Sequence, residues 1–343
     1  MSAPAATTPV VALADRIRSG SQVSLARALT LVESRSDSAA ELLAEIWKDS
    51  GNAHVVGITG PAGSGKSTLV TAMAQEYVAR GLRVAILAVD PSSAYSGGAI
   101  LGDRIRMTEL SGREGVYIRS MASRGATGGL SRAVLDGIVV LDAAGYDVVI
   151  LETVGVGQSE VDVISVAHTV LVVSVPGLGD DIQAIKAGLI EIADIHVVNK
   201  ADRPGADLTV KQLRESLRLA HNLASKWDVP ILKTTAATGE GVAALLDQTT
   251  AHREWMVDNG AIREVERRNA ATRIRWAAEA LIAEKLKSGH PDFDASVDAL
   301  IAREDEPREA AARLLTALAV DPTDINGKGL SMKMSSRRFG DRG

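Results

Sequence analysis

Cysteine is missing altogether from the 343 residues. That excludes disulfides, thiolate metal sites and cysteine nucleophiles, and it suits a reducing compartment. Aromatic residues make up only 3%, so a core has to be built from Val, Ile, Leu and Ala. A basic excess is also lacking: the formal net charge is −5, which gives no electrostatic reason to expect a nucleic-acid partner. Met1 to Val11 have neither a basic start followed by a sustained apolar run nor many arginines, against a secretory signal or a transit peptide. The apolar runs around Val148 and Val170 are far shorter than a membrane span. A cytosolic protein without a membrane or nucleic-acid partner is the expectation. The rest of the composition, 46% hydrophobic and 24% charged, is that of a globular protein with chain enough for about two domains.

Against these absences, one stretch carries strong information. Gly60-Pro61-Ala62-Gly63-Ser64-Gly65-Lys66-Ser67 fits G-x-x-x-x-G-K-[ST], the phosphate-binding P-loop. Its context is the required one, with a buried strand expected over His54–Thr59 and a helix over Thr68–Arg80. Glycines let successive backbone N–H groups turn inward, and the helix adds its positive end. These residues and Thr68 are expected around a nucleotide triphosphate. Lys66 would reach the β- and γ-phosphates, and the Ser67 hydroxyl would ligate Mg²⁺.

From Gly51 to Asp247 the chain alternates between strand and helix patterns. Apolar β-branched runs stand at Val55–Thr59, Val84–Val89, Val148–Leu151, Thr169–Val175, Ile195–Val198 and Pro230–Lys233. This predicts an α/β protein of the P-loop NTPase class, its parallel sheet covered on both faces. Residues 1–50 read as an N-terminal helical extension of three short helices, 51–250 as the nucleotide domain, and 251–343 as a C-terminal helical region ending in a mobile tail. Ligands are then expected at the carboxyl ends of the strands. The six histidines are scattered along the chain and suggest no metal cluster.

Each remaining motif falls at or beyond a strand end. Asp90, followed by Pro91, reads either as a carboxylate facing Mg²⁺ and its waters or as a helix cap. The Gly-rich stretch Tyr95–Gly102 runs into Asp103, which would orient water, join the metal shell or cap a helix. Arg119–Ser131 reads as a second mobile segment. Glu152-Thr153-Val154-Gly155 follows a buried strand, where an acid holds an Mg²⁺-bound water and a glycine N–H senses the γ-phosphate. Pro176–Lys186 is a further glycine-rich, charged loop. Asn199-Lys200-Ala201-Asp202 supplies what guanine selection needs. The Asp carboxylate accepts from N1–H and the 2-amino group, the Lys stem covers the base, and Asn ties the loop to the P-loop. In Thr234-Thr235-Ala236 a backbone N–H from Thr235 or Ala236 is expected at guanine O6. The implied nucleotide pair is GTP/GDP.

Taken with Ala88–Ser93, Gly97–Met107 and Glu152–Glu160, these motifs make residues 10–320 resemble the MeaB/MMAA/ArgK GTPases, which serve adenosylcobalamin-dependent acyl-CoA mutases. The resemblance implies a SIMIBI-class G domain and a homodimer formed through C-terminal helices. It also implies slow GTP hydrolysis, accelerated by a mutase whose cofactor loading and protection the GTPase governs. Family roles carried over place Asp90, Asp103 and Glu152 in the metal and catalytic shell and make Lys186 an activating cation. Pro61–Ser64 differ from the Val-Pro-Gly-Val of many members, which implies a different subgroup and leaves the partner mutase open. A nickel-insertion GTPase and a P-loop kinase are the alternatives. The first lacks Cys or a His-rich tract here, and the second lacks an acceptor-substrate pocket.

Overall fold

The computed structural model describes residues 8–34, 36–90, 110, 112–122, 129–153, 166–177, 192–220, 227–286 and 289–320. Asp103, Gly155 and Lys186 lie outside them, as does the side chain of Asp90. The described chain divides into two compact units, residues 1–269 and 270–343.

In the first unit, seven strands form one sheet: β1 (His54–Thr59), β2 (Val84–Asp90), β3 (Val116–Ala122), β4 (Val148–Thr153), β5 (Thr169–Ser174), β6 (Ile195–Val198) and β7 (Ile231–Lys233). Their order is β3-β2-β4-β1-β5-β6-β7, and each neighbouring pair is parallel. β1, β4, β5 and β6 are buried at every position. Both faces are therefore covered, and these strands are mostly apolar, with no alternation of buried and exposed positions.

α4 (Lys66–Ala79) lays Leu69, Val70, Met73 and Tyr77 over Val56, Ile58, Ile150 and Leu171. α7 (Val242–Asp258) joins that layer through Val242, Leu245 and Leu246. α6 (Ala206–Ala220) packs beside β6 and β7. Before β4 comes α5 (Gly129–Ala143), on which the three N-terminal helices assemble. These are α1 (Pro9–Arg18), α2 (Gln22–Ser34) and α3 (Asp37–Ile46). Their buried Leu13, Ile17, Leu25, Leu29, Leu42 and Ile46 are the apolar positions that needed a partner. The expected boundary near residue 250 falls inside α7, a continuous helix.

One expectation is corrected here. The start of the supposed mobile segment Arg119–Ser131 lies in the edge strand β3. Arg119 donates twice to Glu33 of α2, from Nε to Oε1 at 3.0 Å and from Nη2 to Oε2 at 2.8 Å. A half-buried, bidentate ion pair fixes this side chain. The Arg and Ser in Val-Tyr-Ile-Arg-Ser-Met-Ala disguised the strand, because an edge strand is only partly covered.

α8 (Ala261–Lys285) begins in the first unit and runs into the second. There, α9 (Pro291–Ile301) and α10 (Pro307–Val320) both open on proline, whose missing N–H costs nothing in the first turn. Pro307 thus starts a helix. Ile274, Leu281, Leu286, Ile301 and Leu315 of this unit are exposed.

Candidate nucleotide site

The carboxyl ends of β1, β4, β5, β6 and β7 meet around the P-loop, which joins β1 to α4. Gly60 has φ 145°, and a Cβ there would stand 2.3 Å from the Val173 carbonyl oxygen of β5. Only glycine lets the loop leave β1 this close to its neighbour. Gly65 caps α4 in the left-handed conformation at φ 85°. A Cβ at Gly65 would meet Asn199 Nδ2 at 2.5 Å. The two outer glycines of the motif therefore also make room for β5 and for the Asn-Lys-x-Asp loop.

Lys66 is buried at 7% exposure, with Nζ donating to the carbonyls of Gly60 at 2.7 Å and Pro61 at 3.2 Å. The ammonium thus lies across the loop it belongs to, at the helix end that favours anions. Ser67 Oγ donates to Glu152 Oε1 at 2.6 Å, and Glu152 is 3% exposed at the end of β4. The P-loop serine and the strand-end acid, 85 residues apart, thus meet in the folded chain. Thr68 stands exposed in the first turn of α4.

Asn199 is the hub of the opposite wall. It is 1% exposed; Nδ2 donates to the Ser64 carbonyl at 2.9 Å, and Oδ1 accepts from Ala236 N at 3.1 Å and Thr234 Oγ1 at 3.2 Å. Lys200 adopts φ 55°, a costly value for a non-glycine residue. That conformation returns its side chain over the P-loop, where Nζ donates to Gly63 O at 2.7 Å. Asp202 follows, exposed, on a turn pinned by Ala201 N to Thr234 O at 3.0 Å and Arg203 N to Lys200 O at 3.0 Å.

The strand-end amides have partners within the chain: Thr235 N–H donates to Glu240 O at 3.0 Å and Ala236 N–H to Asn199 Oδ1 at 3.1 Å. Both amides expected at guanine O6 are thus engaged within the protein, and their visible role is to shape the loop. Thr234 Oγ1 takes part in the network where only the backbone was expected to matter. The sequence signal for it is a hydroxyl immediately after a strand.

Asn199→Ala would remove three bonds from groups the fold has buried. The variant is expected to lose about 3 kcal/mol of stability, since an orphaned buried partner costs about 1–3 kcal/mol. A denaturant midpoint within error of the wild type would contradict the hub.

The donor set fits a hard divalent cation at this end: a hydroxyl and a carboxylate, both oxygen ligands, 2.6 Å apart. No group of three or more His, Cys, Asp or Glu suited to a metal occurs among the described residues.

The family model described as methylmalonyl-CoA mutase-associated GTPase MeaB matches residues 25–290. The chain belongs to the MeaB family of GTPases. A Pyrococcus horikoshii protein named as a GTPase is 44% identical over 309 residues, 90% of this chain and 98% of that one. The GTPase ArgK of Escherichia coli is 35% identical over 286 residues, 81% of this chain and 86% of its own. A solved structure named as an LAO/AO transport system kinase superposes with a TM-score of 0.67 at 29% identity, over 93% of this chain and all of that one (100%). This family member is accordingly a P-loop GTPase that binds GTP and GDP, and the described residues contain no helix long and apolar enough to cross a membrane.

At the amino end of the same sheet lies a polar cluster that single-sequence reading passed over. Three of the scattered histidines meet there: His54 opens β1, His168 precedes β5, and His252 lies on α7. Burial holds His54 well below the ordinary histidine value and lowers His168 and His252 to about 4. Unfolding restores values near 6.5, so the unfolded chain binds the extra protons as acid is added. Stability present above pH 6.5 is lost as the pH falls toward 4. Asp194, whose carboxyl burial raises to about 7, opposes part of this loss because the folded chain takes up its proton first, and we expect the melting temperature to drop by a net amount on the order of 10 °C between pH 6.5 and 4.5. A flat profile in a thermal scan over that range would rule out neutral buried rings.

Proposed function

We propose that this MeaB family member is the GTPase chaperone of an adenosylcobalamin-dependent acyl-CoA mutase. It hydrolyses GTP to GDP and phosphate to gate cofactor loading and to protect or reactivate the mutase. The observation that carries the reading is the family match over residues 25–290, joined to a P-loop and an Asn-Lys-x-Asp loop in mutual contact. A homolog named for methylmalonic aciduria type A in Mus musculus, 37% identical over 213 residues, supports the same setting.

In this reading Lys66 binds the β- and γ-phosphates, and the amides of Gly63–Thr68 surround them. Ser67 and Glu152 would hold Mg²⁺ together with Asp90, and the charge of that ion offsets the charge on the phosphate oxygens. Asp103 orients the attacking water, and Gly155 senses the γ-phosphate. Lys186 is the cation that the mutase brings into place. Asp202 reads the guanine edge, and Lys200 covers the base. A homodimer forms through the C-terminal region, which the exposed Ile274, Leu281, Ile301 and Leu315 favour. The work is done in the cytoplasm.

Steady-state GTP hydrolysis, alone and with each candidate B12-dependent acyl-CoA mutase, tests this, with ATP as control. A slow, GTP-only rate raised by one mutase is expected. A rate indifferent to every mutase would overturn the chaperone role. Transfer of labelled γ-phosphate to an acceptor other than water would favour the kinase reading, to which the name of the solved relative points.

A further inference from the structure

The amino-end cluster forms a series. His252 Nε2 lies 3.5 Å from Asp194 Oδ1, an ion-pair contact at the outer limit of hydrogen bonding and the widest link of the four side chains, and its Nδ1 is hydrogen-bonded at 2.9 Å to Thr169 Oγ1. Thr169 Oγ1 is in turn 2.8 Å from His54 Nε2. α7, β5 and β1 are thereby linked through four side chains. His54 also lines a cavity of about 400 Å³, with Asn52, Tyr77, Asp142, Tyr146 and Arg253. At the other end, Asp194 Oδ2 accepts from Val170 N at 2.8 Å, and Trp227 Nε1 donates to the Asp194 carbonyl at 2.9 Å. The Trp227 and Trp255 rings sit 4.9 and 5.8 Å from His252 and screen it from water.

Each link constrains the next, because a neutral imidazole has one donor and one acceptor and a hydroxyl has a single hydrogen. With Asp194 protonated, its O–H points to His252 Nε2. His252 then donates from Nδ1 to Thr169, Thr169 donates to His54 Nε2, and the His54 proton resides on Nδ1. With Asp194 ionised, His252 Nε2–H faces the carboxylate, Thr169 donates back to His252 Nδ1, and His54 donates from Nε2. The two states differ by one proton, and every bond between them reverses. We propose that Asp194, His252, Thr169 and His54 form a hydrogen-bond relay whose direction is set by the protonation of Asp194 and is displayed at His54 in the amino-end cavity. Passed along the chain, the proton lost on switching leaves from His54 Nδ1.

The electrostatics suit a switch at moderate pH. Burial raises the Asp194 carboxyl to about 7, opposed by the Val170 N–H bond and the Arg268 charge. Its side chain keeps 31% exposure, so water moderates that shift. Arg253 and His168, the other charged or titratable groups acting on His54, both disfavour its protonation, as does His252. The rings therefore stay neutral while Asp194 titrates, and only their tautomers change.

Long-range ¹H–¹⁵N spectra of the ¹⁵N-histidine-labelled full chain, from pH 5 to 8.5, test the relay. His54 and His252 are expected to pass from Nδ1–H to Nε2–H with one shared midpoint well above 4. His168, whose Nδ1 accepts Val55 N–H at 3.1 Å, should remain Nε2–H throughout and serves as the internal control. Asp194→Asn should abolish both transitions. Thr169→Val should leave the His252 transition and remove that of His54. Constant tautomers in the wild type, or separate midpoints for His54 and His252, overturn the relay without recourse to any variant. An unchanged titration in folded Asp194→Asn, verified by its GTP hydrolysis at the far end of the sheet, overturns it as well.

Discussion

Lys66→Ala is expected to abolish tight nucleotide binding, with GTP affinity falling about 1,000-fold or more, as removal of a buried charged donor from a phosphate site implies. The structure gives the reason. The ammonium is carried into the interior of the loop at 7% exposure, held on the Gly60 and Pro61 carbonyls. In that low-dielectric position a positive charge acts on phosphate far more strongly than it would in water. The fold should survive, because residue 66 opens α4 and alanine is a good helix former. Titration calorimetry with GTP, next to a circular dichroism melt, separates the two effects. Normal affinity in the variant would remove Lys66 from the phosphate site.

Asp202→Asn should change which base is accepted. An ionised carboxylate offers only acceptors, matching the two donors on the guanine edge, whereas an amide offers one acceptor and one donor. GTP affinity is expected to fall by about 100-fold or more, with xanthine triphosphate becoming the preferred ligand, since an unmatched polar edge in a binding site is strongly rejected. The turn that presents Asp202 is fixed by backbone bonds from Ala201 and Arg203, so the substitution should leave the presenting geometry intact. Competition binding with the two triphosphates reads the swing directly. Unchanged preference for GTP would mean that another group reads the base.

Much of this site was legible in the chain because its parts are local. The P-loop is eight consecutive residues whose glycines, lysine and serine each answer a local demand, and strand and helix flank it in sequence. The Asn-Lys-x-Asp loop is likewise contiguous and follows an apolar run that reads as a buried strand. By contrast, β3 is obscured because an edge strand bears polar residues, and the partner that fixes Arg119, Glu33, lies 86 residues away in the chain. The amides of Thr235 and Ala236 were assigned to the base by position alone. Whether they are taken already depends on Glu240 and Asn199, which one-dimensional reading cannot bring near.

The sequence by itself determined the parallel α/β class, the nucleotide and the membership of a GTPase family, because hydrophobic periodicity and contiguous motifs carry that information within short windows. Only the tertiary structure decided that Ser67 meets Glu152 and that Asn199 locks three loops together. It also gathered His54, Thr169, Asp194 and His252 at the far end of the sheet. Those four residues come from separate parts of the chain, up to 198 positions apart. Side chains so distant along the chain become neighbours only when the strand order β4-β1-β5-β6 and the packing of α7 are set, and strand order is a property of the folded sheet.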